Sequence, residues 1–334
     1  MREHIAGGIS AESLDKAYDR AVRDTIERFE ATGSPVITDG EQRKSSFVTY
    51  PLEGLKSLAG DGVMIPFKDG HTRQLPRITQ GPFHYGKYAG EYVQRAKPFT
   101  KRPLKQAVIS ASALSLLYPP SGIEWYPRQR FLDDLVNEAA ADITSALSAG
   151  AEVVQIDFTE GRLSLKLDPT GGLLKSFVEL NNRVLDRFDA SERARIGVHV
   201  CPGGDHDSTH SADVDYGGLL PALFATHAGR FYLQLSSEAD RPRVLKQIAE
   251  LLGPGQLVFV GVTDPISKRI ETPEEVCGRV LEAAKFLPVD RLGTTDDCGF
   301  SPFADDDSTA RDVAFAKIRA RVDGTAIAAA RLGV

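Results

Sequence analysis

Seven short apolar runs alternate with segments of helical spacing along nearly the whole chain, and that alternation limits the fold more than any single motif. The runs are VITDGE at 36–41, KQAVISAS at 105–112, VVQIDF, IGVHVC, RFYLQL, LVFVGV and RLGTTDDCGF. Ahead of the first, SAESLDKAYDRAVRDTIERFEATG sets Leu14, Tyr18, Val22, Ile26 and Phe29 at steps of three and four and stops at Gly33, the pattern of an amphipathic helix. FLDDLVNEAAADITSALSAG repeats it through Leu132, Leu135, Val136, Ala139, Ile143 and Leu147 before Gly150. Further helices are expected over GGLLKSFVELNNRVLDRF, near 217–226, over RPRVLKQIAELLG and around 310–322. Another opens at TPEE, where Thr272 and Glu275 form a capping box and Pro273 suits the first helical position. Continuous apolar strands alternating with helices describe a parallel sheet covered on both faces. The expected architecture is therefore a (β/α)8 TIM barrel, with a doubly wound open sheet as the alternative. The lack of GxGxxG and GxxxxGK[ST] weakens the alternative. Residues 50–104, rich in Gly, Pro and Lys, fit neither period and are expected to form an excursion between strands, partly β-hairpin. Residues 1–334 are taken as one barrel domain.

Composition narrows the partners. With 334 residues and 42% hydrophobic content the chain can bury a large core, and its net charge of -6 speaks against a nucleic-acid binder. Small molecules or other proteins are the expected partners. The N-terminus lacks a signal-peptide core, and no segment approaches the roughly 18 unbroken apolar residues of a membrane span, so a cytoplasmic location is expected. Three cysteines are too few for a disulfide framework in a chain this long.

A parallel barrel gathers the C-terminal ends of its strands at one mouth. Here those ends carry Asp39, Glu41, Asp157, His199, Cys201, Gln234, Asp264, Asp297 and Cys298. His199 and Cys201 are two residues apart and share a strand face, just before a Pro-Gly-Gly turn. Cys298 would join them from the last strand, and one imidazole with two thiolates is a zinc set with a position left for water or substrate. Cys277, beside Val276, Val280 and Leu281 in the TPEE helix, is expected to pack in the core, and His206 and His210 in GGDHDSTHSAD to be solvated loop histidines.

TDGEQRKSSF, QIDF, HVCPGG and above all VGVTDPISKRIETPEEVCGRVLEAAKFLPVDRLGTTDDCGFSPF resemble, in order and at strand ends, the C-terminal catalytic barrel of the cobalamin-independent methionine synthase family. That group includes single-barrel homologues and epoxyalkane:coenzyme M transferases, and the resemblance runs from about residue 15 to the end. It implies a zinc enzyme that binds a substrate thiol as thiolate for alkyl transfer, similar to a 5-methyltetrahydropteroyltriglutamate-homocysteine S-methyltransferase. By motif, His199, Cys201 and Cys298 would be the ligands. Glu41 and Asp157, with Asp39 beside them, would hold the amino group of a homocysteine-like acceptor. Three departures stand out. Gln234 occupies the strand position of the family's glutamate ligand, and only Glu238, four residues on, could replace it. The family's first strand has no counterpart in MREHIAGGISAES, so the barrel lacks a standard first strand or the chain starts after it. The Asp-Glu-Pro pattern after the fourth strand is Asp157-Phe158-Thr159-Glu160. Because the folate-binding barrel of the long synthase is absent, poor use of methyl-folates is expected, with a corrinoid-bound methyl group or another activated alkyl donor preferred. The alternatives are a different zinc-assisted reaction on the same barrel, of lyase or decarboxylase type, in which Asp157 or Glu41 acts as the catalytic group that moves protons, and a non-catalytic thiol- or metal-binding homologue.

Overall fold

The computed structural model describes residues 7–334. The helix Ala11–Thr32 starts at a Ser10 cap and ends at Gly33 in the left-handed conformation, as the spacing predicts. VITDGE does not form a full strand: Ile37 makes one parallel bridge to Leu104. The following excursion pairs β1 (Leu58–Ala59) with β4 (Arg77–Ile78) and β2 (Met64–Pro66) with β3 (Thr72–Gln74), all antiparallel. Its second half contains the helix Gly90–Ala96, which the composition had concealed.

The sheet contains β5 (Lys105–Ile109), β6 (Val153–Asp157), β7 (Ile196–Val200), β10 (Arg230–Leu233), β11 (Leu257–Thr263) and β12 (Leu292–Asp296). The two-stranded pair β8 (Gly204–Asp205) and β9 (Ser208–Thr209) follows β7 at the mouth. Each sheet strand lies parallel beside the next one in sequence, so the order never reverses. An open doubly wound sheet reverses at a switch point, and a barrel does not. In the outer layer the C-terminal helix Arg311–Leu332 meets the first helix through the Phe29–Phe315 ring contact and the Arg28–Asp312 ion pair. That last helix runs well past the expected residue 322.

Ile156, Val198, Phe231 and Val258 share a register row and are buried. The alternate row runs Ile109, Asp157, His199, Tyr232, Phe259. TIM barrels usually fill the interior with branched aliphatic residues, whereas this one carries polar and aromatic groups there. The capping box of Thr272 and Glu275 forms on Pro273–Ala283. Among the described residues no helix is long and apolar enough to cross a membrane.

Candidate active site

His199 lies near the end of β7 and Cys201 follows directly after it, before the chain turns away at Pro202-Gly203. Gly203 has φ +71, and a Cβ there would lie 1.7 Å from the His210 ring, so the turn needs glycine. Cys298 arrives just beyond β12, with its Sγ 2.8 Å from the Cys201 Sγ; both cysteines are free. The donor atoms of His199, Cys201 and Cys298 all lie within 4.8 Å of one another. The hydrogen bond with Cys201, together with His199 beside it, holds Cys298 well below the ordinary thiol range, and the same hydrogen bond pushes Cys201 up. Burial disfavours the His199 cation, but the hydrogen bond and charge of Cys298 outweigh it, so His199 is raised. A buried sulfur, a half-buried one and a buried imidazole, none of them bonded to a protein cation among the described residues, suit a thiophilic metal ion.

Gln234 does not join this set. Its Oε1 accepts from Arg162 Nη1 at 2.6 Å, and its Nε2 donates to Ser237 Oγ at 2.7 Å and to Glu238 Oε1 at 3.2 Å. Glu238 lies 3.1 Å from Arg162 Nη1 and is likewise engaged away from the sulfurs. Arg162 is 3% exposed, its ring partner is Tyr216 at 5.0 Å, and its other N–H groups bond Val214 O and Ala212 O. A buried arginine thus holds the amide that occupies the ligand position of the resembled family. Arg162, Gln234, Ser237, Glu238, Pro202 and Ile266 line a cavity of about 280 Å³ beside Cys298. A larger, more open groove of about 470 Å³ lies on the outer ring around Arg241, Glu275 and Glu282, away from the sulfurs.

Further carboxylates gather beside the His199 end of the set. Asp157 lies beside His199 in register and is pushed up to about 6 by burial and the charge of Glu41, against the pull of His199, the Gln155 amide and Lys44. Asp39, also raised to about 6 by burial, accepts from Glu41 N at 2.9 Å through Oδ1, while its buried Oδ2 has no partner. Glu41 has φ +54 and pairs with buried Lys44, whose Nζ lies 2.6 Å from Oε1, 2.8 Å from Ala107 O and 4.0 Å from the Tyr50 ring centre. Arg43 turns outward to Asp15 and Asp19. Glu160 is buried against Ser110 and Ser112 with Oε2 unpartnered, and burial raises it to about 7.

Two strand-end residues have structural tasks. Asp297 accepts from the backbone N–H groups of Leu235, Ser236 and Ser237 at 2.9, 2.8 and 2.9 Å, which ties the Gln234 loop to the Cys298 turn. Asp264 accepts from Ile266 N at 3.0 Å and shapes the cavity wall. Phe158 and Cys277 are fully buried, as packing residues are. The loop histidines are not simply solvated: His210 is 7% exposed against Phe67, and burial lowers it to about 4. His206 stands with Asp205 and Asp306 in a second gathering of donors. Arg162, Lys105 and Gln155 escaped the sequence analysis, because a polar group in a loop or at a strand start reads as solvated until its neighbours are known.

A singly wound parallel barrel with an imidazole and two thiols at its mouth is a scaffold compatible with a bound metal ion. The chain matches the family described as cobalamin-independent synthase, catalytic domain, over residues 2–321, and it belongs to that family. Membership makes it a methyltransferase. It is 24% identical to the methionine synthase of Sulfurisphaera tokodaii over 329 residues, covering 98% of this chain and 87% of that one. The corresponding values for the methionine synthase of Saccharolobus solfataricus are 21%, 98% and 89%. The fold is similar to that of a B12-independent methionine synthase from Shewanella sp. W3-18-1, solved in complex with selenomethionine, with TM-score 0.76, 20% identity, and 97% and 91% of the two chains covered. It is also similar to a putative vitamin-B12 independent methionine synthase from Listeria monocytogenes, with TM-score 0.73, 22% identity and 98% and 92% coverage. The expectation of a corrinoid-bound donor finds no support here, since the family is described as cobalamin-independent.

Proposed function

We propose that the chain transfers a methyl group to the sulfur of a homocysteine-like amino-thiol, with zinc held by His199, Cys201 and Cys298, and that residues 1–334 act as one catalytic barrel. The observation that carries this reading is an unengaged His-Cys-Cys set at the barrel mouth beside a surplus of buried carboxylates. Zinc bound there would hold the incoming sulfur as thiolate at neutral pH, where a free thiol of pKa about 8.5 is mostly protonated. The protein's own groups do the positioning. Of the cations near Asp39, Glu41 and Asp157, Lys44 is bound to Glu41 and Lys105 reaches Asp157 only through Gln155, so three carboxylates stand against two cations and the mouth retains negative charge that a substrate ammonium would neutralise. Lys44 already engages Glu41, which leaves Asp157 as the principal ammonium partner. With Gln234 held by Arg162, the protein offers three donors and a place remains for the substrate sulfur. The cavity beside Cys298 supports approach of the methyl donor from the side away from Asp157, which is not among its lining residues. The Shewanella relative's complex with selenomethionine, a selenium analogue of a methylated amino-thiol, is in keeping with this substrate class. Free cysteines suit a reducing compartment such as the cytoplasm.

Elemental analysis should find about one zinc per chain. Calorimetry should show homocysteine binding to the zinc-loaded protein and not to the chelated protein, with the desamino analogue at least about tenfold weaker for loss of a charge-assisted contact. A protein that takes up no transition metal when zinc is added under reducing conditions would sink this mechanism.

A further inference from the structure

The barrel interior contains a polar line that the proposed chemistry has not used. Lys105 sits at the N-terminal end of β5, and its Nζ donates to Gln155 Oε1 at 2.9 Å. Gln155, two residues before Asp157 on β6, donates from Nε2 to Asp157 Oδ1 at 2.7 Å. Lysine can only donate and an ionised carboxylate can only accept, so a single orientation of the Gln155 amide satisfies both neighbours. The lysine is itself held: its Nζ lies 4.4 Å from the centre of the Tyr232 ring, which stacks on Phe259 at 4.6 Å. Tyr232 needs the room that Gly197 leaves, since a Cβ there would come within 2.5 Å of its ring. Placing an ammonium and an amide inside a barrel carries a desolvation cost that branched aliphatic residues would avoid. The cost makes sense where the line orients something.

We propose that Lys105 is a positioning residue for Asp157, acting through Gln155. The ammonium fixes which end of the amide faces the carboxylate, the amide anchors Oδ1, and the other carboxylate oxygen is left directed to the substrate. Lys105 touches neither substrate nor metal donors in this scheme. It sets the selectivity of the mouth for an amino-thiol over the same thiol without its ammonium. The inference rests on the reading of Asp157 as an ammonium partner, and the experiment separates the two.

Binding of homocysteine and of its desamino analogue to the zinc-loaded full chain is measured by calorimetry for the wild type, Lys105→Met and Lys105→Arg, with metal content checked in each. The expected result is that Lys105→Met narrows the preference for homocysteine by about tenfold, the size of one charge-assisted contact. The analogue's affinity and the metal content stay unchanged, and Lys105→Arg, which keeps the donor, restores most of the preference. If Lys105→Met does not fold, Lys105→Gln should give the same narrowing, because a second amide no longer dictates the first one's orientation. Full retention of the preference in the folded variant, or equal loss of both ligands, overturns the positioning role while leaving the Asp157 reading intact. Absence of any preference in the wild type overturns the Asp157 reading, and this inference with it.

Discussion

Among the described residues, two groups of three side chains bring their donor atoms within 4.8 Å of one another: His199, Cys201 and Cys298, and Asp205, His206 and Asp306. By spacing alone they are equals. Their neighbours make them different. In the first group the sulfurs bond to each other, and Cys201 Sγ also accepts from Gly203 N at 3.4 Å. In the second, both oxygens of fully buried Asp205 are taken by Arg73, with His71 Nε2 also 3.1 Å from Oδ2. Asp306 accepts from His206 N at 3.3 Å, from Ser308 N at 3.0 Å and from Ser308 Oγ at 2.7 Å. A protein cation and backbone N–H groups already do there what a metal would do. The second group is a clasp: Arg73 comes from β3, Asp205 from β8 behind Cys201, and Asp306 from the segment behind Cys298. Arg73 also covers Phe303 at 4.2 Å, which pins that segment again. Closeness of donors defines a candidate, and the absence of competing partners defines a binding site.

The largest expected effect breaks the first group. Cys201→Ser or Cys298→Ser should take the zinc content from about one per chain to near none, since two of three protein ligands cannot hold the ion comparably. Cys277→Ser is the control; its sulfur is fully buried in the helix Pro273–Ala283, outside the set, and the metal content should not change. Retention of metal in either serine variant at the binding positions would erase the distinction between the groups.

The same distinction explains what could be read in the sequence. His199, Cys201 and Cys298 were legible as candidates because strand ends converge in a barrel and these residue types are metal donors by their own chemistry. The strands were legible because their outward rows, such as Ile156, Val198, Phe231 and Val258, are apolar and periodic. VITDGE reads as a strand by the same pattern, yet only Ile37 pairs, because Asp39, Gly40 and Glu41 turn at once into the mouth. The short helices Ala111–Ser115 and Glu160–Leu167 were hidden, being too brief to show a 3.6-residue period. The engagement of Gln234 by Arg162 was not legible at all: the two are 72 positions apart, and only the fold brings their polar ends together. Glu41 was recognised, but its pairing with Lys44 rather than Arg43 depended on which basic side chain the turn directs inward.

A middle-sized effect sharpens the comparison from the other side. Asp205→Asn removes the charge that Arg73 and His71 face while keeping the volume. Breaking a buried pair by neutralising one partner should lower stability by about 3 kcal/mol. Denaturant unfolding reads the loss, and elemental analysis should still find about one zinc per chain. A drop in metal content as large as that of the cysteine variants would mean that the clasp and the donor set are a single cooperative unit.

The smallest effect belongs to His206, and it is the most exacting comparison because His206 is the counterpart of His199. Its side chain is 36% exposed, its Nε2 lies 3.1 Å from Arg73 Nη2, and its Nδ1 is 3.7 Å from Asp306 Oδ1, beyond a good hydrogen bond. Arginine only donates, so Nε2 must accept, and the imidazole acts as a modest neutral partner for a guanidinium that Asp205 and Asp305 also hold. The backbone at residue 206 has φ +47, a region where alanine would be strained and asparagine is tolerated. His206→Asn is therefore the informative exchange: it keeps the turn and removes the reach to Arg73. Stability should fall by about 1 kcal/mol or less, the net worth of one partly exposed hydrogen bond. Metal content should stay unchanged, whereas His199→Asn should lower it sharply. Were the wild type to bind a second equivalent of metal that disappears in His206→Asn, the clasp would have to be reclassed as a metal site, and partner engagement would fail as the criterion separating the two groups.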